Sequence, residues 1–234
     1  MSLISAENIQ KDYKTGEVTV KALKGLSFAI APASFISFVG PSGSGKTTLL
    51  NLIGCLDKPS DGKLTVADTD VLHLDRKQSA SFRGKNIGFI FQDFNLIPVL
   101  TVYENIEYPL VMIKSLPPAQ RRKNVESLLE AVGMADQRNK YPDKISGGQK
   151  QRVAVARALV THPRLVLADE PTANLDSKTA YMVIELMKKM KDELKTTFIF
   201  STHDHKIVEN AEIIYTIEDG LVTDVREAGK KVKQ

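Results

Sequence analysis

Gly40-Pro41-Ser42-Gly43-Ser44-Gly45-Lys46-Thr47, with Thr48 beside it, fits the pattern G-x-x-x-x-G-K-[ST]. A loop so rich in glycine can turn its amide N–H groups inward around an anion, and a helix N-terminus behind it adds further donors. Lys46 can reach β- and γ-phosphates, and the Thr47 hydroxyl can face Mg²⁺. A second set of groups lies far along the chain. Leu165-Val166-Leu167-Ala168-Asp169-Glu170 is an apolar run ending in two adjacent carboxylates. At the carboxyl end of a strand in an α/β sheet, Asp169 suits Mg²⁺ and Glu170 suits a general base acting on water. Alone, the same pair before Pro171 reads as the acidic start of a helix.

Ile145-Ser146-Gly147-Gly148-Gln149 is another glycine pair, with a serine able to cap a helix. It suits a terminal phosphate, yet the chain holds one phosphate loop. Either the site is idle or it serves the nucleotide of another copy, in a head-to-tail pair with two composite sites. As a bare pattern it is a capped helix.

These groups need elements to position them. Phe35–Val39 reads as a strand, the Gly/Ser stretch as a loop and Lys46–Leu56 as a helix, the opening of a βαβ unit. Residues 1–34 alternate polar and apolar as short, half-exposed strands, and residues 62–92 return to strands at Lys63–Val66 and Ile87–Phe91. Residues 93–160 are mostly helical: Pro117-Pro118 opens one helix, with Val125, Leu128, Leu129 and Val132 at helical spacing and Gly133 ending it, and Lys150–Val160 forms another. Leu165–Ala168 and Thr197–Phe200 read as buried strands. Between them Tyr181–Leu194 is an amphipathic helix with Met182, Leu186, Met190 and Leu194 on one stripe. Ile213–Ile217 and Leu221–Val225 form a hairpin, and Lys230, Lys231 and Lys233 a solvated tail.

The chain has 234 residues, a net charge of +4, 42% hydrophobic and 26% charged residues. That is the composition of one globular domain, and it excludes a mainly disordered chain or an integral membrane protein. No signal peptide, spanning segment or lipidation motif is legible, so work at a membrane requires a partner. Cys55 is the one cysteine. No internal disulfide forms, a reducing compartment follows, and the thiol reads as a small buried hydrophobe.

Taken together, the motifs and their order resemble the nucleotide-binding subunit of an ATP-binding cassette (ABC) transporter, over the stretch from Tyr13 to the final hairpin. Ile145 for the usual leucine of the signature, and Ala33-Ser34 for a usual Gly-Glu, are departures. The resemblance implies a P-loop NTPase core with a mainly parallel sheet, an N-terminal antiparallel β-subdomain and an inserted α-helical subdomain bearing the signature. The expected division is core over 1–92 and 161–234 and helices over 93–160, within one domain. It also implies roles. Gln92 matches the Gln loop that touches Mg²⁺ or water. His203 matches the switch histidine at the γ-phosphate. Asp176 matches the D-loop at the dimer interface, though Asp176-Ser177 is equally a helix cap. Tyr13 matches the aromatic that stacks on adenine. Ser146, Gly147, Gly148 and Gln149 meet the partner's nucleotide.

Gly54–Ser60 and Gln92–Pro98 resemble the branch of lipoprotein-releasing and macrolide-exporting ATPases, with the cell-division type also similar. The expected partners are a second copy of the chain and an integral membrane permease, whose coupling helix would sit around Phe94–Asn105. The protein would lie on the cytoplasmic face of the membrane and hydrolyse ATP with Mg²⁺ to drive export, lipoprotein release or mechanical signalling. Nucleic acid is not expected. A chromosome-organising relative needs a coiled-coil insertion for which the stretch from Gln92 to Ser146 has no room. A guanine-reading N-K-x-D is absent, since Asn139-Lys140-Tyr141-Pro142-Asp143 is one residue too long. A monomeric P-loop kinase or GTPase has no need of the signature.

Overall fold

The runs Phe35–Val39, Leu165–Asp169 and Thr197–Ser201 are nearly unbroken apolar segments, which suit strands covered on both faces. In the computed structural model, which describes residues 2–113 and 116–227, they form strands β3 (Phe35–Val39), β7 (Leu165–Asp169) and β8 (Thr197–Ser201). β6 (Ile87–Ile90) and β9 (Ile213–Glu218) join them in parallel, and β10 (Leu221–Glu227) closes one edge antiparallel to β9. The sheet order is β10-β9-β3-β8-β7-β6. Alternate side chains enter different cores. Phe35, Phe198 and Phe200 face the helices α3 (Val102–Ile113), α5 (Gly147–Leu159) and α6 (Ser177–Leu194). Ile36, Phe38 and Ile199 face α1 (Lys46–Ile53) and the N-terminal sheet.

That second sheet has the order β2-β1-β4-β5, from β1 (Ile4–Thr15), β2 (Val18–Ile30), β4 (Asp61–Val66) and β5 (Thr69–Asp70). Residues 1–34 therefore hold two long strands, of 12 and 13 residues, where the alternation suggests several short ones. The reason is irregular register: shifts after Ala6, Ile9 and Lys11 reset which residues face the core, so a long strand looks fragmented in sequence.

Two other expectations change. Between β5 and β6 lies α2 (Arg76–Asn86), where strands alone are expected. Only Ser79 and Phe82 of this helix are buried, so it has almost no apolar periodicity. Its legible signal is the capping box Asp75-x-x-Gln78, which bonds reciprocally. α6 begins a turn before Tyr181, and its buried face is Ala180, Val183, Ile184, Met187, Met190 and Lys191. Met182 is 39% exposed. A strict four-residue step drifts by about 40° each time on a helix of 3.6 residues per turn, so Met182 leaves the core that Met190 enters, while Leu186 and Leu194 pack at its margin.

The remaining helix of the inserted region, α4 (Pro118–Ala131), buries Val125, Leu128 and Leu129, and Gly133 follows it with φ +67°. A four-residue helical turn, α7 (His205–Val208), follows β8. The expected tail at Lys230, Lys231 and Lys233 lies outside the described residues. α5 lies so close to β6 that a Cβ on Gly88 would sit 2.2 Å from the Ala158 carbonyl oxygen. Gly88→Ala is expected to push α5 outward and lower unfolding free energy by about 1–3 kcal/mol, measured by urea denaturation. Cys55 is buried, and burial pushes its thiol up to about 11, which makes it unreactive at neutral pH. No helix among the described residues is long and apolar enough to cross a membrane.

Candidate active site

The phosphate loop leaves the sheet at Val39 and enters α1 at Lys46. Gly40 has φ +147°, and a Cβ there would lie 1.9 Å from the Ile217 carbonyl oxygen. Gly45 has φ +105° at the N-cap of α1. Neither position accepts a side chain. The turn of the β9–β10 hairpin backs the loop: the Gly220 N–H donates to the Ser44 carbonyl at 3.0 Å, and the Gly220 carbonyl accepts from Lys24 N–H of β2 at 2.9 Å. Lys46, only 8% exposed, donates its Nζ–H groups to the Gly40 and Pro41 carbonyls at 2.8 and 2.9 Å. The loop is thus closed around its own ammonium, with the charge held where phosphate oxygens would arrive.

The second half of the site comes from β7 and β8. Their parallel register pairs Asp169 with Ser201. The Ser201 hydroxyl donates to Asp169 Oδ1 at 2.6 Å and accepts the Glu170 N–H at 2.9 Å. Thr47 Oγ1 also donates to Asp169 Oδ1, at 3.2 Å, which joins the phosphate loop to this strand end. Glu170 has φ +46°, a left-handed conformation that swings its carboxylate off the strand direction. His203 Nδ1 stands 3.1 Å from Glu170 Oε1. Ser201 is a residue that sequence reasoning missed: it braces the Asp169 carboxylate and the Glu170 backbone, and only the strand register reveals it. Asn174 is another, donating Nδ2–H to the Gln92 carbonyl at 3.2 Å and to Asp93 Oδ1 at 2.9 Å.

Ser42, Gly43, Gly45, Lys46, Thr47, Thr48, Gln92, Glu170 and His203 line one cleft of about 700 Å³, together with Val20, Lys21, Ala22 and Ala173. Gly40, Pro41, Ser44 and Asp169 are not part of that lining. Tyr13 is 38% exposed on β1, outside the lining, with its hydroxyl donating to Asp57 Oδ2 at 3.0 Å. Burial and the Asp57 bond both raise its phenol.

The family profile described as ABC transporter matches residues 23–173. The chain belongs to this family. It is an ABC ATPase cassette. An uncharacterized ABC transporter ATP-binding protein of Thermotoga maritima is 41% identical over 222 residues, covering 95% of this chain and 94% of that one. The macrolide export ATP-binding/permease protein MacB of Syntrophobacter fumaroxidans is 41% identical over 95% of this chain, which spans 31% of MacB. Among solved structures, the dimeric post-hydrolysis state of the ATP-binding cassette MJ0796 bound to ADP and Pi superposes with a TM-score of 0.88 at 40% identity, covering 97% of this chain and 99% of that one. MJ0796 is from Methanocaldococcus jannaschii.

The cassette's remaining motif residues gather elsewhere. Ser146 is the N-cap of α5: its Oγ accepts from Gln149 N–H at 3.3 Å, and Gln149 Oε1 accepts the Ser146 N–H at 2.9 Å. Asp176 caps α6 by accepting from Thr179 N–H at 3.1 Å. Hydrogen bonds from Thr179 hold its carboxyl below the usual range. A Cβ on Gly148 would meet Thr179 Cγ2 at 2.3 Å, so the Ser146–Gln149 turn packs against the first turn of α6, with Ser146 and Asp176 exposed beside it. None of Ser146, Gly147, Gly148, Gln149 and Asp176 lines the cleft.

Proposed function

We propose that two copies of the cassette close head to tail over ATP and that hydrolysis reopens them, driving a membrane permease. The observation that supports this reading is the split just described. Lys46, Thr47, Gln92, Glu170 and His203 share a cleft, whereas the anion-suited Ser146–Gln149 turn lies outside its lining, with Ser146 exposed. The dimeric MJ0796 cassettes supply a precedent in a relative.

In this scheme the loop amides and Lys46 bind the β- and γ-phosphates, Lys46 exchanging the Gly40 and Pro41 carbonyls for phosphate oxygens. Glu170 takes a proton from the attacking water as the water oxygen bonds to the γ-phosphorus and the bond to the β-bridging oxygen breaks. His203 orients the Glu170 carboxylate and contacts the γ-phosphate. Asp169, Thr47 and Gln92 fit Mg²⁺, since the Asp169 carboxylate and Thr47 hydroxyl lie 3.2 Å apart as a hard oxygen pair. When bound there, the ion would neutralise charge on the phosphates. Tyr13 would stack on the base, and Ser146, Gly147, Gly148, Gln149 and Asp176 would meet the nucleotide held by the partner copy.

We further propose that the cassette sits on the cytoplasmic face of the membrane through its permease. The similarity to MacB favours an export, lipoprotein-release or mechanotransmitting machine. The segment around Phe94–Asn105 remains the proposed contact. There Leu96 packs against the core and Val99 is exposed, while buried Asn105 donates Nδ2–H to the carbonyls of Ile97, Leu100 and Thr101.

Ser146→Arg tests the composite site. It should leave ATP binding by the monomer intact, abolish ATP-dependent dimers in size-exclusion chromatography and reduce turnover at least about tenfold, a loss of about 1.4 kcal/mol. Full turnover in that variant would refute the scheme. Affinity capture of the cassette from solubilised membranes should recover a permease in stoichiometric yield.

A further inference from the structure

Asp57 lies beyond the end of α1, yet its two carboxylate oxygens reach back to β1. Oδ1 accepts from Lys11 Nζ at 2.7 Å and from Lys58 N–H at 2.7 Å, and Oδ2 accepts the Tyr13 hydroxyl at 3.0 Å. Lys11 Nζ also donates to the Lys58 carbonyl at 2.8 Å and stands 4.9 Å from the centroid of the Tyr13 ring. Lys11 is 9% exposed, so this is a largely desolvated ammonium with one carboxylate partner. Further bonds join the same segments: Ser60 N–H donates to the Gln10 carbonyl at 2.8 Å, and Asp12 N–H to Ser60 Oγ at 3.0 Å.

The other end of this arrangement is α1 itself. Asp57 N–H and Leu56 N–H donate to the Asn51 carbonyl at 3.3 and 2.9 Å, which fixes the turn to the last part of the helix. The N-terminus of that helix carries Lys46 and Thr47. One carboxylate therefore ties Tyr13 to the rigid element whose far end bears the phosphate loop. Burial alone would raise the Asp57 carboxyl, but the bonds from Lys11, Lys58 and Tyr13 outweigh it and hold it below the usual range. A surface ion pair contributes little, whereas one built from a nearly buried ammonium with three further hydrogen bonds fixes geometry.

We propose that Asp57 and Lys11 are positioning residues for the nucleotide base. The carboxylate holds the Tyr13 ring at a fixed distance and angle from the phosphate loop. The ammonium occupies one face of the ring by cation–π contact, so the base stacks on the other. This rests on the reading of Tyr13 as the base platform. Because the base is then set relative to the phosphates, losing the clamp affects binding of a nucleotide and spares binding of a bare polyphosphate.

The experiment compares dissociation constants for ATP and for inorganic tripolyphosphate, by calorimetry at one Mg²⁺ concentration. Asp57→Ala should weaken ATP about tenfold while tripolyphosphate changes less than about twofold; Asp57→Asn, which keeps an acceptor, should recover part of the loss. Asp57→Ala strands the Lys11 charge, so the double variant Lys11→Met/Asp57→Leu is measured beside it, with thermal melts of each; if the single variant does not fold, the double variant decides. The inference is overturned if ATP and tripolyphosphate weaken equally. It is also overturned if neither changes while Tyr13→Ala weakens ATP, a result that leaves the base platform standing. If Tyr13→Ala leaves ATP affinity unchanged, the platform reading falls and takes the clamp with it.

Discussion

Glu170→Gln lowers ATP turnover by about three orders of magnitude, the scale of a general base acting on water. The substitution keeps the size of the side chain and an oxygen for His203, which stands 3.1 Å from the native carboxylate. It removes the carboxylate proton acceptor that lines the phosphate cleft. The variant should therefore bind ATP as tightly as the wild type and accumulate as an ATP-bound dimer, visible by light scattering with ATP and absent with ADP. The left-handed backbone at Glu170 and its N–H bond to Ser201 are unaffected by the change, so the melting temperature should hold. Turnover within about threefold of the wild type would remove Glu170 from the base role, because that loss is below the range for general-base catalysis.

Lys46→Ala acts one step earlier. In the free protein the ammonium makes two charge-assisted hydrogen bonds to the Gly40 and Pro41 carbonyls, and in the proposed complex it makes comparable bonds to phosphate. Its loss removes the single cation within the loop and leaves two carbonyl oxygens facing an anion. At about 1.5–3 kcal/mol per charged hydrogen bond, ATP affinity should fall by about a hundredfold or more. Turnover should drop below detection. A fluorescent ATP analogue titrated against the variant measures the first effect and phosphate release the second. Unchanged affinity would mean that the loop amides alone bind the phosphates.

What was legible in the sequence follows from what is local. The phosphate loop could be read because its glycines, lysine and threonine must stand at fixed offsets to wrap one anion. β7 and its carboxylates could be read because a strand buried on both faces has an unmistakable composition. α2 was missed although its capping box was present, because a helix that buries one large side chain has no periodicity to detect. The stripe on α6 fails at Met182, while Leu186, Met190 and Leu194 meet the core, because a four-residue step accumulates error along a helix of eighteen residues. Ser201, Asn174 and Asp57 were beyond reach for a different reason. Each is an ordinary polar residue in sequence and acquires its role only from register or from a loop folding back on a distant strand.

The Gly220 turn has a consequence for how the chain acquires activity during synthesis. It donates to the phosphate loop through its N–H and accepts from β2 through its carbonyl, while the neighbouring Ile217 carbonyl oxygen fills the space behind Gly40. These are contacts of high sequence separation, which are slow to form and late to be rewarded. A ribosome-bound chain that has emerged as far as α7 already contains the motifs proposed above to contact nucleotide, yet its phosphate loop lacks the wall formed by Ile217 and Gly220. The phosphate loop of such a nascent cassette gains its backing only when the last hairpin has been made.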